Sequence, residues 1–207
     1  MGRPRLYATR AECDHAYYLR KKERQQYPPF PPGPYRVLYA DPPWKYTSPD
    51  PAAYRHAPED YPPLSRAELQ ILPVRRLLSP QAVLFLWVPS ALLPDGFPLM
   101  QSWGFRYHDS IIWDKMRPFY GRYGSAQHEV LLIGTRGTYH PEIASLHPSV
   151  QRHRRSAQGR KPDVFRLLIE DIYPTGPHLE LFPQTQGDGW DVWPWARDED
   201  AGARGGN

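Results

Sequence analysis

The chain has 207 residues, 26 of them proline, beside 7 tryptophans, 14 tyrosines and a formal net charge of +4. Proline at about 13%, against a usual ~5%, raises the question of disorder, but proline plus glycine stays below the ~25–30% of low-complexity chains. The 14% aromatic content supplies large apolar groups that disordered chains lack, so collagen-like, polymeric and disordered chains are excluded and one proline-punctuated domain with tails is expected.

Residues 1–27 hold seven Lys/Arg against three acids, a net of +4, whereas the remaining 180 residues balance 19 against 19. The positive charge is therefore a basic N-terminal arm, not a basic body. Such an arm suits attraction to nucleic acid or another acidic surface, with a solvated tail as the alternative. A helix with a thin apolar face is expected from about Ala11 to Gln26. The run Tyr27–Pro34, five prolines in eight residues, favours polyproline II and reads as a semi-rigid spacer over 28–34. The main domain then occupies 35–196, and the charged, glycine-rich 197–207 reads as a flexible tail.

Within the domain, strands are predicted at Tyr35–Ala40, Ala82–Val88, Ser110–Trp113, Glu129–Gly134 and Leu179–Phe182. Four of these are nearly continuous apolar runs, which fits a sheet covered on both faces. Ser65 followed by Glu68 is a capping-box signature that opens a helix, and Pro73 should end it. Val164, Leu167, Leu168, Asp171 and Ile172 follow helical spacing, with Pro162 in the first turn and Pro174 as the stop. This alternation predicts an α/β domain with a mainly parallel sheet. Neither GxGxxG nor a Walker A sequence occurs, which argues against a dinucleotide or P-loop site. The single cysteine, Cys13, forms no intrachain disulfide and no cysteine-based zinc site, and no metal is expected. The longest apolar run is far short of a membrane span, and no signal-peptide pattern follows the N-terminus. A soluble, cytoplasmic protein without membrane partners is the expectation.

The tetrapeptide Asp41-Pro42-Pro43-Trp44 directly follows the first strand. Ligands in open α/β sheets sit beyond the carboxyl ends of strands, so the position makes it a site candidate. Both prolines lock φ and lack an N–H, so the loop is stiff and presents an acceptor-rich edge: the Asp41 carboxylate and main-chain carbonyls. Trp44 adds a flat face. Acceptors beside an aromatic face suit a planar ring that bears an exocyclic amino group. Fixed acceptors also stabilise positive charge developing on that nitrogen, which is the chemistry of amino methylation. A proline-stiffened turn capped by Asp41 is the bland alternative.

Asp-Pro-Pro-Trp after a strand resembles motif IV of the amino-methyltransferases, and its tryptophan form is similar to the MT-A70 family of adenine-N6 methyltransferases. The similarity runs from about Tyr35 to Trp193. It includes Tyr61-Pro-Pro-Leu-Ser65, Leu84-Phe-Leu-Trp-Val88, Trp103-Gly104, Ile112-Trp-Asp-Lys115, His128-Glu129, Gly134-Thr-Arg-Gly137, Lys161-Pro-Asp163, Glu180-Leu-Phe182 and Gly189-Trp190. The resemblance implies a Rossmann-like methyltransferase sheet in permuted order, with the catalytic strand before the cofactor strand. It implies that Asp41 binds the target amino group with help from the Pro42 carbonyl, and that Trp44 packs against the base. S-adenosylmethionine is the implied cofactor, with Asp41 and Lys161 among its contacts and Lys161 at its carboxylate. Phe182 and the following Pro183 and Gln184 would line the cofactor pocket. The family usually has a small residue and arginine where Pro183 and Gln184 stand, and Gly-Asn where Pro194 and Trp195 stand. Gln184 keeps a donor for the cofactor ribose, whereas Pro194 offers none.

Lys115, Arg117, Tyr120 and Arg122 interleave cations with aromatics and glycines, a mixture suited to phosphate contact and base stacking. A second basic run, Arg152, Arg154 and Arg155, precedes Lys161 and is the other candidate nucleic-acid contact. His128 is a further site candidate. The expected activity is methyl transfer to adenine N6 in DNA. The alternatives are the same reaction on RNA, or a noncatalytic nucleic-acid-binding subunit of the same fold. With one small domain, sequence specificity is short, loop-borne, or supplied by a partner subunit or a second copy.

Overall fold

The computed structural model describes residues 27–45, 62–116, 127–144, 147–155, 160–184 and 189–194. The expected helix at 11–26 and the tail at 197–207 lie outside these residues. Seven strands form one sheet: β1 Tyr35–Ala40, β2 Leu78–Pro89, β3 Arg106–Asp114, β4 His128–Arg136, β5 Val150–Arg152, β6 His178–Leu181 and β7 Asp191–Trp193. Their order is β5-β3-β4-β2-β1-β6-β7, and only β4 runs antiparallel to its neighbours. The α-helices among the described residues are α1 Arg66–Gln70, α2 Leu93–Ser102 and α3 Val164–Ile172.

Both faces of the central strands are buried, as their continuous apolar runs predict. Side chains alternate between faces along a strand. Leu38, Ala40, Leu84 and Leu86 therefore pack with Leu69, Leu99, Met100 and Trp103 on one side. Val37, Tyr39, Val83, Phe85 and Trp87 pack with Phe165, Leu168 and Ile169 of α3 on the other.

The capping box at α1 is complete: the Glu68 N–H donates to Ser65 Oγ at 3.3 Å, and the Ser65 N–H donates to Glu68 Oε2 at 2.9 Å. The helix stops at Gln70, and Pro73 opens a 3₁₀ turn over Pro73–Leu77. Asp163 is the N-cap of α3, so Pro162 lies just outside the first turn where it was expected.

Three elements have no sequence signature. α2 contains Pro94, Gly96 and Pro98, residues that argue against helix by propensity. Pro94 stands in the first turn, where its missing N–H costs nothing. Edge strands β5 and β7 have three residues each, too few to show a period.

Tyr27, Pro28 and Phe30 lie against edge strand β7, while Gly33 stands close to the Leu77 backbone. Phe30 stacks on Trp193 at 3.8 Å between ring centroids, and Trp193 Nε1 donates to the Pro28 carbonyl at 2.8 Å.

The topology locates a crevice. β1 has parallel neighbours β2 and β6, and the chain continues from β1 to one side of the sheet and from β6 to β7 on the other. The carboxyl ends of β1 and β6 therefore flank a switch point, where open α/β sheets bind ligands. β1 precedes β6 in the chain, the permuted order that the sequence implies.

Candidate active site

Asp41 extends the β1–β6 ladder by one bond, its N–H donating to the Leu181 carbonyl at 3.1 Å, and so stands at the mouth of the crevice. The rest of the tetrapeptide holds it there. Pro42 and Pro43 are buried. The Pro42 carbonyl accepts from the Trp44 N–H at 2.8 Å, and the Pro43 carbonyl accepts from the Leu64 N–H at 2.6 Å. Trp44 is 7% exposed, and its Nε1 donates to the Trp87 carbonyl at 3.0 Å. The indole therefore anchors the loop to the end of β2.

The Asp41 carboxylate faces three donated hydrogen bonds. Lys161 Nζ lies 2.8 Å from both oxygens, and Gln184 Nε2 donates to Oδ2 at 2.6 Å. Lys161 Nζ also lies 3.2 Å from Glu129 Oε2, and Lys115 Nζ lies 2.6 Å from Glu129 Oε1. The result is a line of alternating charges: Lys115, Glu129, Lys161, Asp41. Their side chains are only 12–16% exposed, so each charge depends on its neighbours for the solvation that water no longer supplies. Beneath them, Lys161 Nζ lies 5.4 Å from the Trp87 ring and Lys115 Nζ 5.5 Å from the Trp113 ring, within cation–π range.

Titration differs along this line. Burial favours neutral Glu129, but Lys161 and Lys115 outweigh it and hold the carboxyl down at about 2. Burial likewise favours neutral Lys161, but Asp41 and Glu129 raise its pKa above the usual lysine value and keep it charged. For Asp41, burial prevails over Lys161, and the carboxyl is pushed up from its ordinary value. Asp41 is thus the easiest of the two acids to protonate.

A cavity of about 290 Å³ opens beside this carboxylate, lined by Tyr39, Asp41, Lys161, Glu180 and Gln184 with Arg154 and Arg160. Glu180, on β6, is 9% exposed, and its Oε2 accepts no hydrogen bond. Burial pushes its carboxyl up to about 7 despite the opposing charge of Arg166. Among the described residues, no group of three or more His, Cys, Asp or Glu side chains is placed to hold a metal ion.

The structure thus brings Asp41, Lys161, Gln184 and Arg154 to one cavity. Phe182 and Pro183 do not line it; both are buried, and Phe182 packs edge-on against Trp193 at 5.6 Å. Lys115 belongs to the buried charge line. Arg152 is 73% exposed with Asp114 Oδ2 at 3.6 Å, and Arg155 is half-buried. Arg117, Tyr120 and Arg122 lie outside the described residues. His128 is exposed at the start of β4. Its neighbour Glu129 reaches the site; its sequence signals are its place in the His128-Glu129 pair and a charge at the head of the apolar run Val130–Ile133.

A family model for MT-A70 matches residues 35–194, most of the chain and all of the sheet. The chain belongs to the MT-A70 family. It is 30% identical over 185 residues to the type II methyltransferase M.MunI of Mycoplasma sp, a match covering 81% of this chain and 79% of that protein. It is 28% identical over 159 residues to an Arabidopsis thaliana N(6)-adenosine-methyltransferase MT-A70-like protein, covering 72% of this chain and 22% of the relative. The human N(6)-adenosine-methyltransferase catalytic subunit METTL3 is 28% identical over 158 residues, covering 72% of this chain and 26% of that one. The chain therefore spans about a quarter of these two larger relatives. This MT-A70 protein is an adenine methyltransferase with a Rossmann-like sheet.

Proposed function

We propose that this protein transfers a methyl group from S-adenosylmethionine to the N6 amino group of adenine in DNA. The observation that carries the reading is the buried Asp41 carboxylate, fixed by Lys161 and Gln184 at the β1–β6 switch point. DNA as substrate is supported by the match to M.MunI along most of both chains, against partial matches to the larger adenosine methyltransferases.

The cavity fits the cofactor. S-adenosylmethionine carries a carboxylate, an ammonium group, a sulfonium and ribose hydroxyls. The walls offer Lys161, Arg154 and Arg160 to the first, and Asp41 and the donor-poor Glu180 to the others. When bound, the cofactor supplies an electrophilic methyl group. Asp41 and the second lone pair of the Pro42 carbonyl accept the two amino N–H bonds of the target, which fixes the nitrogen and stabilises the positive charge it develops. For this, Lys161 yields one carboxylate oxygen while Glu129 retains its charge. Trp44 sets the loop from below and borders the base site. Phe182 and Pro183 shape the turn that brings Gln184 to the pocket.

The target base must leave its stack before it reaches Asp41. Arg152 at the end of β5, with Arg154 and Arg155 just beyond it, forms the first candidate group for phosphate contact, and Arg117, Tyr120 and Arg122 form the second. Sequence specificity in this reading comes from short loops, a homodimer or a partner subunit. A cytoplasmic setting is supported by the single cysteine. No described helix is long and apolar enough to cross a membrane.

The test incubates the protein with labelled S-adenosylmethionine and DNA or RNA oligonucleotides, followed by nucleoside mass spectrometry. N6-methyladenine in DNA is the expected product. Methylation confined to RNA selects the alternative substrate, and no N6-methyladenine on either sinks the enzyme reading.

A further inference from the structure

We infer that Gln184 is a positioning residue for Asp41, its carboxamide fixing which carboxylate oxygen faces the incoming amino group; the assignment rests on the methyl-transfer reading. The side chain bridges two groups. Its Nε2 donates to Asp41 Oδ2 at 2.6 Å, and its Oε1 accepts from the Lys161 main-chain N–H at 3.2 Å. An ionised carboxylate only accepts and an amide N–H only donates, so the carboxamide has one orientation that satisfies both.

The backbone sets this side chain in place. After β6 the chain turns through Phe182 at φ 62°, a left-handed conformation that is costly for a non-glycine residue. The Phe182 N–H is held by the Trp193 carbonyl at 2.6 Å, and Pro183 then fixes the next φ. Gln184 therefore leaves the turn already aimed at the crevice.

The consequence lies in the carboxylate. Oδ2 receives both Gln184 and Lys161, whereas Oδ1 receives Lys161 alone. Once Lys161 yields, Oδ2 stays tethered and Oδ1 is the oxygen open to the amino group. An arginine, usual at this place in the family pattern, has no acceptor and cannot take the Lys161 N–H. A glutamine orients Asp41 without adding another cation to the line.

The variants are Gln184→Leu and the isosteric Gln184→Glu, each in the full chain. For Gln184→Leu, kcat should fall about tenfold, the scale of one lost hydrogen bond to a charged group, with the cofactor KM nearly unchanged. A raised cofactor KM at unchanged kcat would make Gln184 a cofactor ligand only. A change in melting temperature with unaltered kinetics would make it a structural residue only. Either result overturns the assignment.

A second readout needs no turnover: carboxyl-carbon NMR titration of Asp41 in the ligand-free protein. Loss of the donor in Gln184→Leu should raise the Asp41 midpoint, and the like charge in Gln184→Glu should raise it further. An unmoved midpoint refutes the assignment. If the wild type methylates no nucleic acid, the functional reading fails while this titration still decides whether Gln184 governs Asp41.

Discussion

Asp41 must be ionised to accept an amino N–H, yet burial pushes its pKa up. The acid limb of kcat/KM should therefore lie above the ordinary aspartate value of 3.8, activity falling as pH drops through the raised pKa; a limb at or below 3.8 would show that another group controls it. Asp41→Ala should abolish methyl transfer yet leave cooperative unfolding, because Lys161 keeps Glu129 as counter-ion. The stability loss should stay below the ~3–5 kcal/mol of an orphaned buried charge. Near-normal turnover in a transfer assay would remove Asp41 from the chemistry.

Glu180 gives the matching stability prediction. Its folded pKa of about 7 exceeds its ordinary 4.5, so its contribution is fully present below 4.5 and is lost as pH rises through about 7. Glu180→Gln should then be more stable than wild type at pH 8, by up to roughly 3 kcal/mol, and similar near pH 4. Urea midpoints at the two pH values check this.

Asp41 and Lys161 were legible from sequence because each sits in a local pattern. Glu129 stood only in the His128-Glu129 pair with no role attached, since its value comes from two lysines brought together by folding. Lys115 reads as a loop cation for the same reason.

At the scale of elements, strand and helix signals were clear where burial was two-sided or a cap was local. β1, β2, β4 and the capped α1 all fall where apolar runs and Ser65–Glu68 place them. α2 is hidden because contact with the sheet overrides propensity. A Cβ at Gly96 would stand 2.8 Å from Val88 Cγ2 and 2.9 Å from Leu132 Cδ1, so this helix packs on β2 and β4 only with glycine there. The balance of two effects fixes the sign of a substitution. Gly96→Ala gains about 1 kcal/mol of helix propensity but overpacks a rigid β-branched neighbour, at a cost of typically ~1–3 kcal/mol. Net destabilisation is expected, seen as a lower urea midpoint at unchanged m-value; a stabilised variant would mean that α2 can move off the sheet.

Across the whole molecule, the proline and tryptophan excess becomes one arrangement. All six tryptophans among the described residues are buried, and each Nε1 donates to a protein oxygen: Trp87, Leu69, His153 and Pro28 carbonyls, the Tyr39 hydroxyl and Glu170. A buried indole N–H without a partner is costly, so these bonds tie distant segments into one sheet edge to edge. The Pro28 bond matters most for the shape of the body, because residues 27–34 lie outside the 35–194 match yet cover Trp193 of β7. Two shortened chains separate the roles of these N-terminal residues. Starting the chain at Tyr27 removes all seven cations of the arm; nucleic-acid affinity should fall mainly at low salt, with a shallower salt dependence. Unchanged affinity at low salt would deny the arm a part in binding. Starting at Tyr35 also strips the Phe30–Trp193 stack and leaves the Trp193 N–H without its acceptor. Relative to the Tyr27 start, this should lower stability by a further ~2–4 kcal/mol in urea denaturation, one aromatic pair plus one buried hydrogen bond and the uncovered surface. Equal stability of the two would leave 27–34 a spacer. A loss of that size makes it a structural edge of the methyltransferase fold, laid on from outside the part of the chain that the family shares.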